Sequence, residues 1–447
     1  MIVVIVGGDA AGMSAASQIR RQKPEYRVIV LEKSENVSYG ACGMPYNLAD
    51  NSRDTDDLKV ISPENFINKR GIDLRLNHEV VSVTTESVTV KTPDNQYEQP
   101  YDKLLIASGA RASRPDIENI EGENTWFLHT LGDAEKIKED LRQNTISGVA
   151  IIGGGYTGIE MAESLTALGK SVTLVKRSKK LFPFLPEMMN QRIEDELKRN
   201  GVKLEFGKTP VRINRTGKRI SIVFEDKTET DADRILVVSG VEPAAEAFIS
   251  SGIKPGIANS IQTDEFLETS FKNVYAAGDC SDAFCAVTGE KIYEPLALKA
   301  NRYGKVAAAN MMGNPTKAPP VSGASAVRIF SLELAVTGIV KRSSSMTDKM
   351  EIVSNMVTVN SRAHAFPGGG KMDVHLLCEK DSGLLLGGAI CGPFRESALR
   401  IDALTSVIMM KGSIWDLYNM DYIYTPPLGP VWSPLLVAAG DMIKKLK

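Results

Sequence analysis

The sequence predicts an α/β fold in which two Rossmann-like dinucleotide-binding units are followed by a C-terminal α+β segment, and three observations carry that prediction. A short β-branched run, IVVIV at residues 2–6, passes through small residues (GGDAAGMSAASQIRRQ) into a helical pattern. The same grammar of strand, glycine turn, helix and strand returns in GVAIIGGGYTGIEMAESLTALGKSVTLVKR at residues 148–177. The chain has 447 residues, room for about three domains at roughly 150 residues each.

Each element follows from local pattern. The strand at 2–6 is too short and too β-branched for a helix, and RVIVLEK at 27–33 supplies the second strand of a βαβ unit, ending in an acid. Residues 72–106 and 202–241 alternate short strands with turns, so each unit is expected to carry a β-rich appendage. NVYAAGDC at 273–280 reads as a further apolar strand capped by Gly-Asp, and PLALKANRYGKVAAANMMG after it has helical spacing. Beyond the linker GNPTKAPPVSG the composition turns to mixed strands and one Met-rich helix, with a boundary near residue 322.

Composition narrows the function classes. Lys+Arg number 53 against 55 Asp+Glu, a net charge of -2 that gives no reason to expect a nucleic-acid partner. No apolar stretch is long enough for a membrane span, and no basic leader precedes the first strand, so a cytoplasmic chain is expected. The five cysteines (Cys42, Cys280, Cys285, Cys378, Cys391) include no CxxC pair, and the four histidines (His78, His129, His364, His375) are scattered, which predicts neither a disulfide framework nor a metal site.

The glycine turns carry the first functional signal. In a dinucleotide fingerprint one glycine makes the tight turn, a second lets the backbone approach pyrophosphate, a third packs helix on strand, and an acid about 20 residues on holds a ribose hydroxyl. Gly153, Gly155 and Gly158 complete the second copy. The first has Gly7 and Gly12, but Asp9 stands at the middle position; Glu32, twenty residues past Gly12, is the expected acid. The second copy instead ends its strand in Lys176, Arg177, Ser178, Lys179 and Lys180, cations that suit a 2′-phosphate. This predicts NADPH in preference to NADH; the alternative is a solvated basic turn.

This layout resembles the flavin-dependent pyridine nucleotide-disulfide oxidoreductases over essentially the whole chain. The resemblance implies an FAD domain at 1–112 resumed at 246–322, an NAD(P)H domain inserted at 113–245, and a dimerisation domain at 323–447. YDKLLIASGA (101–110) is similar to that family's crossover from the FAD domain, and TSFKNVYAAGD (269–279) to its second FAD motif, whose aspartate, here Asp279, hydrogen-bonds the ribityl chain. EPLALKANRYG (294–304) is similar to the helix facing the flavin pyrimidine, where a helix dipole would stabilise reduced flavin. Cofactor contacts are accordingly expected at Gly7, Ala10, Ala11, Gly12, Glu32, Lys33, Val80, Ala107, Ser108, Gly109, Gly278, Asp279, Pro295, Leu296 and Ala297. They are also expected at Gly153, Gly155, Tyr156, Gly158, Glu160, Lys176 and Arg177.

The motif SYGACGMPY (38–46) holds Cys42 without the CxxxxC pair of glutathione or lipoamide reductases. It resembles the single-cysteine branch: coenzyme A-disulfide reductases, NAD(P)H persulfide or polysulfide reductases, and NADH oxidases or peroxidases. Gly43 would permit close backbone approach to a cofactor, and helix amides with the flavin would lower the Cys42 pKa; the alternative is a small buried hydrophobe. Cys280 and Cys285 read as buried thiols in a turn, with a second redox pair as the alternative, and Cys378 and Cys391 as core. DYIYTPPLGPVW (421–432) resembles the segment that reaches across a homodimer to the partner's cysteine, which implies a catalytic role for Tyr424; a tyrosine in a Pro-bounded turn is the alternative. RIDALTSVIMM (400–410) reads as an interface helix, and SRAHAFPGG suggests His364 near the substrate. Ser14, Gln18, Arg21, Ser38 and Arg70 match positions that contact coenzyme A in this branch, although Ala41 replaces an asparagine and Trp432 a lysine.

The expected activity is therefore FAD-dependent NAD(P)H:disulfide oxidoreduction, acting on coenzyme A disulfide, coenzyme A persulfide or polysulfide, or a related small disulfide through Cys42. A Cys42-sulfenate oxidase or peroxidase is the alternative, and a non-catalytic flavoprotein module a weaker one.

Overall fold

The computed structural model describes residues 1–143, 145–216, 219–341 and 350–447. Two five-stranded parallel sheets dominate it. The first runs Val274–Ala276, Lys103–Ile106, Ile2–Val6, Arg27–Leu31, Asp73–Arg75, and the second Thr125–Phe127, Arg234–Val237, Gly148–Ile152, Ser171–Lys176, Lys203–Phe206. Each puts its fingerprint strand in the middle, with pairings such as Ile5 to Val30 and Ile151 to Leu174. One edge differs in origin. The first sheet receives its edge strand, Val274–Ala276, only after the whole second unit has been built, whereas the second receives Thr125–Phe127 before its own fingerprint strand.

The expected β-rich appendages divide in two. Asp73–Arg75 and Lys103–Ile106, and likewise Lys203–Phe206 and Arg234–Val237, belong to the parallel sheets. Only the inner strands form appendages: Glu79–Val83, Ser87–Lys91 and Gln96–Pro100 in one antiparallel meander, Pro210–Thr216, Arg219–Phe224 and Glu229–Ala232 in the other. The pattern explains the split. Leu104, Leu105 and Ile106 are wholly buried in succession, as a strand covered on both faces requires, whereas SVTVK alternates buried and exposed.

The C-terminal sheet is antiparallel, in the order Ser325–Ile329, Leu332–Gly338, Leu385–Pro393, Lys371–Glu379, Ile352–Asn360. Three helices accompany it where the sequence suggested one: Ile401–Met409, Ile414–Tyr418 and Pro434–Leu446. The last two are marked by Ser413, which caps its helix through Asp416, and by Pro434 in a first turn. The helix read as an interface element turns Ile401, Leu404, Val407 and Ile408 onto its own sheet's core. Cys378 and Cys391 are fully buried in the strands, as expected.

Polar ties hold these parts in register. The buried Lys138 ammonium donates to the carbonyls of Asn47 and Asp50, anchoring the segment after Cys42 to helix Leu131–Arg142. Arg192 makes a bidentate pair with the buried Asp373 (2.6 and 3.0 Å), joining helix Glu187–Arg199 to the C-terminal sheet. Ala110–Ala112 pairs antiparallel with Val241–Pro243 where the chain passes between the two parallel-sheet units. No helix among the described residues is long and apolar enough to cross a membrane.

Candidate active site

The glycines show their purpose in what a Cβ would meet. Gly7 and Gly153 have φ of +103° and +126°, and a Cβ on them would lie 2.1 Å from the Ala107 carbonyl oxygen and 2.3 Å from that of Val238. On Gly12 and Gly158 it would lie 1.9 Å from the Gly7 and Gly153 oxygens, so these are the positions where helix packs on turn. Gly155 faces open space, leaving its backbone free to approach a phosphate. At the matching point of the first unit Asp9 accepts from the Tyr39 amide (3.3 Å). Glu32 Oε2 accepts from the Gly8 amide (2.8 Å), and Oε1 from the Ser34 amide and hydroxyl (2.8 and 2.7 Å).

A cavity of about 1120 Å³ joins the two units. Its wall contains Cys42, Asp279 and Pro295 from one side, and Gly153, Gly155, Tyr156, Lys176 and Arg177 from the other, with His129 and Val238 between them. Cys42 occupies a single turn, Ala41–Gly43, closed by the Gly43 amide donating to the Gly40 carbonyl (2.9 Å), and helix Met44–Leu48 follows. Gly43 is explained differently from expectation: a Cβ there would strike Leu58 Cδ2 at 2.8 Å, so the close approach it permits is to the protein's own core.

The protein groups around Cys42 act against the expected lowering of its pKa. The sulfur is open to the cavity, yet the surrounding protein desolvates it, and burial pushes its thiol up, aided by the carboxylates of Glu160, Asp279 and Asp9, against a main-chain hydrogen bond of its own turn. The helix that follows, Met44–Leu48, has only five residues. Glu160 is itself pushed up to about 6, chiefly by burial, and accepts from the Tyr46 hydroxyl (3.0 Å), which lies four residues past Cys42. Tyr46 was not singled out in the sequence, although its i+4 spacing from the cysteine was the available signal.

Asp279 is buried with Oδ1 lacking any hydrogen-bond partner, and burial raises its pKa against the opposing charges of Lys299 and His129. A carboxylate on the cavity wall with an oxygen left without a partner is what a sugar-alcohol chain would satisfy, so this observation fits a flavin's ribityl group. Lys299, buried behind it, donates to the Ser281 carbonyl (3.0 Å) at the start of helix Ala297–Met311. The neighbouring Cys280 thiol donates to the Ile106 and Ala277 carbonyls, and Cys280 and Cys285 are both buried, as a structural turn requires.

Other expected residues fall elsewhere. Lys176 is drawn inward: its ammonium donates to the Gly154 carbonyl (3.1 Å) and to that of Leu181, and burial lowers its pKa, so it braces the glycine turn. Arg177 remains on the cavity wall, while Lys180 pairs with Glu187. Val80 is buried in the core with Val4, Val6 and Leu104, which leaves only its main chain for a cofactor. Ser14, Gln18, Arg21, Ser38 and Arg70 do not line the Cys42 cavity: Ser14 bonds Asn301 (2.7 Å), and Arg70 bonds Ser17 (2.5 Å) and stacks on Phe66. His364 lines a separate cavity of about 280 Å³ with Arg362, Phe366 and Lys371. Tyr424 is half exposed on the adjoining loop, where the Ala363 amide reaches the Pro426 carbonyl (3.4 Å).

A cavity walled by residues of both glycine-turn units, with the second turn and a thiol on its wall, defines a nicotinamide-linked oxidoreductase of the two-nucleotide type. Residues 1–313 match the family model of pyridine nucleotide-disulphide oxidoreductases, and the chain belongs to that family. It is 36% identical over 439 residues to a protein named NAD(P)H sulfur oxidoreductase (CoA-dependent) from Pyrococcus abyssi, covering 98% of this chain and 97% of the other. An NADH oxidase from Methanocaldococcus jannaschii is 32% identical, with 100% and 99% coverage. A NAD-dependent persulfide reductase from A. fulgidus superposes with a TM-score of 0.94 at 30% identity, over 100% of this chain and 83% of that one. The family implies FAD and NAD(P)H, and Asp279, the glycine cradles and Gly155 fit them.

Because Glu160 faces Cys42, Glu160→Gln removes a negative charge that opposes the thiolate. The pH midpoint of Cys42 alkylation by iodoacetamide, in a chain whose other thiols are buried, is expected to fall by about half to one unit. The two proteins should converge below pH 6, where the wild-type carboxyl is protonated; equal midpoints at higher pH would show that the two groups are not coupled.

Proposed function

We propose that the protein is an NAD(P)H-dependent reductase of coenzyme A disulfide, coenzyme A persulfide or polysulfide, with Cys42 as its redox sulfur. The observation that carries this reading is the lone thiol on the wall shared by both nucleotide units. FAD, when bound, would accept hydride from the nicotinamide and deliver an electron pair to a sulfur. Asp279, with Gly7, Gly12 and Glu32, would hold it, and Gly153, Gly155 and Gly158 would hold the nicotinamide nucleotide. The Cys42 thiolate attacks one substrate sulfur, breaking the S–S bond and releasing the first thiolate; an electron pair delivered to Cys42 then breaks the mixed disulfide and releases the second thiol. One protein thiol suffices because the substrate supplies the other sulfur. The balance is NAD(P)H, a proton and a disulfide giving NAD(P)⁺ and two thiols.

Cys42→Ser is expected to abolish disulfide turnover, by at least about a thousandfold, while flavin absorbance and nicotinamide binding persist. Retained NAD(P)H-dependent reduction of coenzyme A disulfide would end the assignment. Oxygen or peroxide consumption that exceeds reduction of coenzyme A disulfide and polysulfide would instead favour the oxidase reading, which the Methanocaldococcus jannaschii relative supports.

For the nicotinamide we propose NADPH, with Arg177 as the cation for the 2′-phosphate, since Lys176 is committed to carbonyls. Arg177→Ala should raise KM for NADPH about tenfold with little change for NADH; equal effects on both would remove the preference.

We further propose a homodimer in which Tyr424 and His364 of one copy complete the other's Cys42 cavity. Leu399, Met410, Ile423, Leu428, Val431 and Trp432 stay exposed on the same domain, Ile423 at 83%. Sedimentation velocity should show a dimer, and Tyr424→Phe should lower kcat for the disulfide; a monomer with full activity would refute it.

A further inference from the structure

The first glycine turn departs from its fingerprint at one residue, and the surroundings of that residue give it a task. Asp9 occupies the position where glycine lets a diphosphate approach, and it is the N-cap of helix Ala10–Gln22. Its side chain makes no capping hydrogen bond to that helix. It turns instead to the segment leading to Cys42, where the Tyr39 amide reaches Oδ1 at 3.3 Å beside the Ser38 amide bonded to the Gly8 carbonyl (3.0 Å).

The groups facing Asp9 are anionic or neutral: Glu32 at the end of strand Arg27–Leu31, Asp279 after strand Val274–Ala276, and the phenol of Tyr39 and thiol of Cys42 on the loop. Three carboxyls therefore surround the place where the two negative charges of a diphosphate would rest. They are not equivalent. Glu32 accepts from three donors, and Asp279 is opposed by Lys299 and His129. Asp9 has only the Tyr39 and Ala10 amides, the former at 3.3 Å, and no cation acts on it.

Resting on the flavoprotein reading above, we infer that Asp9 binds FAD in its protonated form, donating its carboxyl hydrogen to a diphosphate oxygen, so that flavin binding takes up a proton at this residue. Burial, aided by Glu32 and Asp279, holds the Asp9 carboxyl up at about 6, against the Tyr39 and Ala10 amides. A neighbouring diphosphate adds like charge and moves it further in the same direction. The sign follows: below pH 6 the proton is present before FAD arrives and affinity is level, whereas above pH 6 it must be acquired and affinity falls.

The test uses the full-length chain stripped of flavin and titrated with FAD, by fluorescence quenching from pH 5.5 to 8.5 and by calorimetry in buffers of different ionisation enthalpy. Wild type should lose affinity by about tenfold per pH unit above pH 6.5 and take up about one proton per FAD at pH 7.5. Asp9→Asn, which mimics the neutral acid, should match wild type at pH 5.5 and change less than about twofold across the range. Asp9→Gly, which restores the fingerprint, should be equally level and guards against a packing defect of the asparagine. Proton uptake that persists in both variants, or wild-type binding with no uptake, would overturn the inference while leaving the flavoprotein reading intact. A wild-type chain that binds FAD at no pH would overturn both.

Discussion

Everything at the candidate site depends on two places where backbone rests on backbone. Helix Ala10–Gln22 meets its turn at Gly12 against the Gly7 oxygen, and helix Tyr156–Ala167 does so at Gly158 against Gly153. A single methyl group at either point would collide with a carbonyl oxygen that the strand cannot withdraw, because each strand is paired on both sides. That contact sets how each helix leaves its sheet, hence where its first-turn amides point. The two units together wall one cavity, and the strand pair Ala110–Ala112 with Val241–Pro243 and the Lys138 clamp tie them to each other, while the Arg192–Asp373 pair ties the second unit to the C-terminal sheet.

The site so assembled is rich in carboxyl groups. Asp9, Asp279 and Glu160 are all raised by burial, and all three act on Cys42. Burial and these carboxyls together disfavour the Cys42 thiolate. The same excess of acid leaves buried acceptors without donors, the Asp279 oxygen above all, and such atoms are satisfied by ligand hydroxyls. The carboxyls that disfavour the Cys42 thiolate thus include an acceptor that a ligand would meet.

What the residues alone determined is the pair of βαβ units, the special glycines, Glu32 and the solitary Cys42, because each depends on contacts within some thirty residues, where strand period, turn chemistry and helix packing are written locally. The outer strands Asp73–Arg75 and Lys203–Phe206 were visible as strands but not as members of the parallel sheets, since a three- or four-residue run does not show which faces will be covered. Helix Ile401–Met409 was legible as amphipathic, though not which surface its apolar side would meet.

Only the tertiary structure decided that Lys176 turns inward while Arg177 stays on the wall, that Gly43 makes room for Leu58, and that Tyr46 reaches Glu160 across the unit boundary. It also separated Ser14, Gln18, Arg21, Ser38, Arg70, His364 and Tyr424 from the Cys42 cavity within one chain. The physical reason is common to all of these: a side chain's direction, partners and charge state depend on desolvation and on groups tens to hundreds of residues away, and a linear pattern of residue types does not contain those distances.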